Sequence, residues 1–274
     1  MVETKLIPFV AALMVISSCG YNYAWESYVV DGSITGVTAP TADNVDQALG
    51  TVEDGVYTAP NGKVFIEGTV MDVARNMISV QPEMADLKTV VGHASHDMGA
   101  ERPESELSNW AVDCIMRDTE KATGRKVDVG ILNFGGIRVD LAAGDITKDD
   151  VMSMFPFRNY LCYVCLKGED LKAIFDHMAE YRVEVLGGVK LVVADKKVES
   201  VEVGGEPFDP QRWYGVATVD FLLDGGDHLY VAKNAKELII TDMLVVDSIL
   251  PHVIETTAAG KDIEYFIDGR VVVK

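Results

Sequence analysis

The stretch VDVGILNFGGIRVDLAAGDITKDDVMSMFPFRN, residues 127–159, carries several different signals in quick succession. An apolar strand over 127–133 runs into Gly135-Gly136, where the backbone can turn tightly or come close to a ligand. Arg138 then presents a planar fork suited to a carboxylate or phosphate. The run "DITKDD" reads as a capped helix start, and Pro156 fixes the backbone ahead of Phe157. Directly after comes "YLCYVCLKG", a second buried strand. Strand, turn, short helix and strand thus follow one another without a β-α-β rhythm, so the reading is α+β, mixed β-sheets with packed helices.

The flanks fit that class. Residues 104–124 read as a helix with Leu107, Ala111, Cys114 and Ile115 on one face, Ser105 as its cap and Gly124 as its stop. Residues 169–181 repeat the pattern with Leu171, Ile174, Phe175 and Met178. Strands are expected at 89–94, 187–194, 197–205 and 213–223, and a helix at 244–255. Two helices, near 71–79 and from Glu83, are expected upstream. Asn61-Gly62 and Asp268-Gly269 each predict a hairpin turn.

The chain has 274 residues and a formal charge of −19, from 43 acidic against 24 basic side chains. That charge argues against binding nucleic acid or anionic membrane surfaces. Any phosphate ester must be held by local arginines and backbone N–H groups. Residues 1–19 read as a signal peptide whose apolar run, 6–16, is too short to span a bilayer. It ends in "VISSCG", which resembles a bacterial lipobox. The expectation is an exported protein lipidated at Cys19 and anchored at the cell envelope, touching membrane only through its lipid. Residues 20–68 form a β-leaning extension, and 69–274 the main domain. Three cysteines remain, Cys114, Cys162 and Cys165, an odd number that leaves no complete disulfide framework. Cys162 and Cys165 lie three apart on a strand and so point to opposite faces.

A third signal lies at "DFLLDGGDHLY", where Phe221 precedes Gly225-Gly226 and Asp227. Each piece has an ordinary alternative. Glycine pairs after strands are common turns, Arg138 can be a solvated charge, Phe157 a core aromatic and Asp227 a turn cap. Their order is more specific. The set N-x-G-G-I-R, L-x-x-G-x-I-T, P-F-x-N-x-L, L-x-G-x-x-L and F-L-x-x-G-G-D resembles the C-terminal, substrate-binding domain of the 5′-nucleotidase family, over about 84–230.

That resemblance implies roles. Phe157 and Phe221 would sandwich a nucleobase, Asp227 would accept from the ribose hydroxyls, and Asn133, beside Gly135 and Gly136, would hydrogen-bond substrate. Arg138 would contact the phosphate. Arg102 stands near, but out of register with, a further arginine of the family. His228 replaces a small glycine after the "GGD" and is expected to crowd the base pocket or alter its preference. The family's reaction uses two metal ions held in a separate metallophosphatase domain. Its Asp-x-His and Gly-Asn-His-Glu/Asp hallmarks do not occur in this sequence. "GHASHD", with His93, His96 and Asp97, reads as surface polar residues. No catalytic residue or cofactor is therefore assigned to this chain, and divalent metal ions are expected on a partner. The expectation is a nucleotide-recognition subunit of a split 5′-nucleotidase, acting on nucleoside monophosphates with a separate metallophosphatase chain. The alternative is a non-catalytic nucleoside or nucleotide binder.

Overall fold

The computed structural model describes residues 32–41 and 43–274. The expected targeting segment and Cys19 lie outside the described residues. A small N-terminal unit comes first: α1 (Val45–Leu49), β1 (Thr51–Glu53), β2 (Val56–Thr58), β3 (Val64–Phe65) and α2 (Thr69–Met84). The predicted hairpin forms across Asn61-Gly62, pairing Tyr57 with Phe65 and Thr58 with Val64. Met71 and Ala74 of α2 are buried with Tyr57 and Ala59 in a core of their own, so α2 packs on this sheet. One helix stands where two were expected. Pro82 lies in its final turn, where a missing N–H costs a single bond near the frayed end and does not stop the helix.

The main domain follows as β4 (Val90–Ala94), α3 (Glu106–Thr123), β5 (Val129–Leu132), β6 (Gly144–Thr147), α4 (Lys148–Met154), β7 (Tyr160–Lys167) and α5 (Gly168–Glu180). It continues through β8 (Val185–Gly187), β9 (Val189–Ala194), β10 (Lys197–Val203), β11 (Glu206–Pro207), β12 (Trp213–Val219), β13 (Glu237–Leu244), α6 (Val245–Ala258) and β14 (Val271–Val273). The central sheet has the order β13-β7-β12-β5-β8. It is mixed, since β12 pairs parallel with β5 and antiparallel with β7. A second sheet, β11-β10-β9-β14, and the β4-β6 pair complete the α+β architecture.

Helix α3 is the main packing element. Ser105 caps it by accepting from the Ser108 N–H, and Gly124 ends it in the left-handed conformation. Leu107, Trp110, Ala111 and Ile115 are buried with Ile131 of β5, Val216 of β12 and Ile249 of α6. At α4, Thr147 and Asp150 form a capping box and Asp149 lies in the first turn, so two of the three "DITKDD" carboxylates serve the helix start, while Asp145 lies in β6. In β7, Cys162 is buried and Cys165 half-buried. Burial pushes the thiols of Cys114 and Cys162 up to about 12. Because thiolate is the reactive form, an alkylating reagent at about pH 8 is expected to modify Cys165 well ahead of Cys114 and Cys162 in the folded protein. Peptide mass mapping checks this, and equal labelling of all three would contradict the packing.

The C-terminal hairpin does not form. Asp268-Gly269 does turn, with Gly269 at φ +74°, but β14 then pairs in parallel with β9. The cause is nonlocal. Arg270 is buried and ion-paired to Asp113 of α3 and to Asp268, which sends the following residues toward β9 rather than back along 264–267.

Candidate functional site

Strand β5 ends at Leu132, and the chain turns at once through a short 3-10 segment, Phe134–Gly136. Asn133 is only 4% exposed. Its Nδ2 donates to Asp227 Oδ2 at 2.7 Å, while its Oδ1 is buried with no partner. An orphaned buried acceptor of this kind carries a desolvation penalty that a donor from a ligand or water would relieve. The glycine pair is explained by crowding. A Cβ on Gly136 would sit 2.9 Å from Asn133 Oδ1, so a side chain there would displace the amide.

The turn is anchored from beneath by Glu184, which is nearly buried. Its carboxylate accepts from the Phe134 N–H at 2.8 Å, from Arg102 Nη2 through both oxygens, and from Arg182 Nε at 3.0 Å. The Arg102 guanidinium also lies 4.4 Å over the Phe134 ring. Arg102 thus supports the Asn133 turn from below and does not line the cleft.

The two aromatic segments meet the turn from the other side. Phe157 lies between α4 and β7, and Phe221 follows β12 in a second 3-10 segment. Both residues are about half exposed, at 46% and 47%, which rules out the core-aromatic alternative for Phe157. One carboxylate joins the segments. Asp220 Oδ1 accepts from the Tyr160 N–H at 3.1 Å and from the Phe221 N–H at 2.9 Å. Arg138 is exposed, its backbone N–H bonded to the Met154 carbonyl and its guanidinium 5.8 Å from the Phe157 ring centroid.

These parts enclose a cleft of about 290 Å³ lined by Asn133, Gly135, Arg138, Phe157, Phe221 and Asp227, together with Asn159. Six of the seven expected binding residues therefore line one cleft, and Gly136 lies just behind it. Asn159, Asp220 and Glu184 were not singled out from sequence. Asn159 stood inside a quoted motif, and the other two act through backbone amides that no spacing rule reveals. Replacing Asp220 by alanine is expected to free both aromatic segments and weaken ligand binding about tenfold, with a change in stability near 1 kcal/mol. Titration beside urea unfolding would separate the two effects, and unchanged affinity would remove Asp220 from the site's support.

His228 corrects an expectation. Asp227 and His228 both adopt positive φ, 46° and 63°, held by bonds from the His228 N–H to the Gly225 carbonyl and from the Leu229 N–H to the Gly226 carbonyl. The consecutive left-handed residues face different ways. Asp227 turns to Asn133, whereas His228 lines a neighbouring cleft with His177 and Tyr181 and leaves the Phe157–Phe221 cleft uncrowded.

The "GHASHD" residues are engaged separately. His96 bonds Glu106 at 2.8 Å, His93 lies 3.3 Å from Asp262, and Asp97 accepts from the Ala143 N–H. Among the described residues, no three His, Cys, Asp or Glu side chains come together as metal ligands.

The cleft thus pairs two half-exposed aromatic rings with a polar Asn–Asp corner. The family model described as 5′-nucleotidase, C-terminal domain, matches residues 90–234, just over half of the chain, and the chain belongs to that family. Protein UshA of Yersinia enterocolitica is 28% identical over 201 residues, covering 71% of this chain and 36% of that protein. A 5′-nucleotidase of Vibrio cholerae is 33% identical over 107 residues, 37% of this chain and 19% of the relative. The solved 5′-nucleotidase precursor of Thermus thermophilus superposes with a TM-score of 0.65 at 27% identity, over 74% of this chain and 43% of that one. The NAD nucleotidase of Haemophilus influenzae shares the fold, with a TM-score of 0.56 at 16% identity. The chain thus spans about a third or less of the length of these two curated relatives.

Proposed function

We propose that this chain is the nucleotide-recognition part of a 5′-nucleotidase whose metal-dependent phosphatase half lies on another chain, and that its ligand is a nucleoside monophosphate. The observation that carries the reading is the cleft itself, with two half-exposed phenylalanines beside a buried Asn133 bonded to a half-buried Asp227. In this reading the base stacks between Phe157 and Phe221, a contact worth about 1–3 kcal/mol per base and tolerant of base identity. Asp227 accepts from the ribose hydroxyls, and the orphaned Asn133 Oδ1 accepts a donor from the ligand. Arg138, exposed at the edge beside Phe157, meets the 5′-phosphate. None of these groups moves a proton or attacks phosphorus. Their work is to hold the ester in one orientation so that a reaction between two bodies becomes one within a complex.

Among the described residues no cluster of His, Cys, Asp or Glu forms the metal set that the family's chemistry needs, so no hydrolytic step is assigned to them. The divalent ions and the attacking water belong to the partner. Export with a lipid at Cys19 completes the proposal, with the recognition domain following the small N-terminal unit that ends with α2 at Met84, so that hydrolysis takes place at the cell envelope. The test is phosphate release from AMP with divalent metal, using this chain, a metallophosphatase chain, and both together. The reading predicts release by the pair that far exceeds the sum of the parts and that falls when Phe157 and Phe221 are both alanine. Equal release with and without this chain would overturn it.

A further inference from the structure

Beyond Asp227 the molecule has a second cleft, about 630 Å³ against about 290 Å³ for the first. Asp227 lines both and so stands on their shared border. The other walls are His177 and Tyr181 of α5 and its end, Arg182, His228 and Tyr230. Tyr181 and Tyr230 are well exposed, and the His177 and Tyr181 rings lie 4.7 Å apart.

The chemistry of this cleft differs from that of the protein as a whole. Glu184 also borders it, but its oxygens already accept from Arg102, Arg182 and the Phe134 N–H. Its charge is thus met by two guanidiniums. The Nε bond to Glu184 fixes Arg182, whose side chain is 58% exposed and whose Nη groups have no protein acceptor among the described residues. A pre-positioned guanidinium fork with free N–H groups, two imidazoles and two tyrosine hydroxyls makes a donor-rich pocket in a chain of net charge −19. That set suits a phosphoryl group.

We propose that this second cleft binds a phosphoryl group esterified to a secondary ribose hydroxyl of the nucleoside held in the first. The inference rests on the nucleoside reading above, because the ribose hydroxyls must reach Asp227 for their substituent to pass into the neighbouring space. Its source is either a 3′-phosphomonoester or a 3′,5′-linked dinucleoside monophosphate, whose second nucleoside the tyrosine-rimmed volume would accommodate. The arrangement gives His228 a purpose. A histidine held at φ 63° is strained relative to glycine, and its strained placement is what sends the imidazole into the second cleft.

The test is calorimetric titration of the chain with adenosine, adenosine 3′-monophosphate and adenylyl-(3′→5′)-adenosine. The expected result is binding of adenosine and a gain of about tenfold for one or both phosphate esters. The two esters distinguish the sources. Arg182→Ala should erase that gain, and it should fold, because Glu184 keeps Arg102 and the Phe134 N–H as partners. His228→Gly, which suits the positive φ, should reduce the gain without backbone strain. If adenosine binds and neither ester binds more tightly, the second subsite is overturned while the nucleoside cleft stands. A gain that survives both variants places the phosphate elsewhere and also overturns it. Failure of adenosine to bind at all removes both readings.

Discussion

Replacing Phe157 and Phe221 together by alanine is expected to weaken nucleoside binding about a thousandfold, with little change in stability. The magnitude follows from stacking at about 2 kcal/mol per face, roughly 4 kcal/mol for both, and a tenfold change for every 1.4 kcal/mol. Each single variant should lose about thirtyfold. Stability should hold because both rings are already about half exposed and leave no large cavity behind. Calorimetry beside urea unfolding checks both halves of the statement. A large loss of stability would mean that the rings are structural. Unchanged affinity would mean that the ligand lies elsewhere.

The second large effect belongs to Glu184, far from any recognisable motif. Alanine there removes the acceptor of two guanidiniums and of the Phe134 amide at once. Breaking a buried ion pair from one side costs about 3–5 kcal/mol, and the lower end applies because both arginines also reach solvent. A loss of about 3 kcal/mol is expected in urea unfolding, with the slope unchanged. Affinity should fall as well, since the Phe134 amide holds the turn that positions Asn133. Glu184→Gln keeps the shape and one good acceptor, and should cost about half as much. A loss below about 1 kcal/mol for the alanine variant would show that the carboxylate contributes little to the turn.

Much of the fold was legible because its signals are local. Ser105 and Gly124 bracket α3, the Thr147–Asp150 box starts α4, and Asn61-Gly62 folds the β2–β3 hairpin. Each acts within a few residues, so spacing is enough. The errors arose where a distant partner decides. The turn at Asp268-Gly269 is present, but Arg270 is drawn to Asp113, which lies on α3, and β14 joins β9. Pro82 is a helix breaker by rule, yet it falls too near the end of α2 to divide it.

The candidate site shows the same division. Asn133, Gly135, Arg138, Phe157, Phe221 and Asp227 were readable as an ordered motif, and the fold brings them to one cleft. Asp220 and Glu184 were not, because each works by accepting from a backbone amide, Phe221 N–H next door in one case and Phe134 N–H across the domain in the other. His228 was readable as a departure, but its direction depends on consecutive left-handed residues that only the backbone reveals. Fold membership makes a nucleotide ligand a reasonable expectation, while the ligand itself has to be argued from the cleft.

The most direct measurement is a crystal structure of the chain with adenosine bound. The account predicts the base between the Phe157 and Phe221 rings, at least one ribose hydroxyl within hydrogen-bond distance of Asp227, and a ligand donor or ordered water on Asn133 Oδ1. A base bound outside the two rings, or a ribose turned away from Asp227, would contradict it.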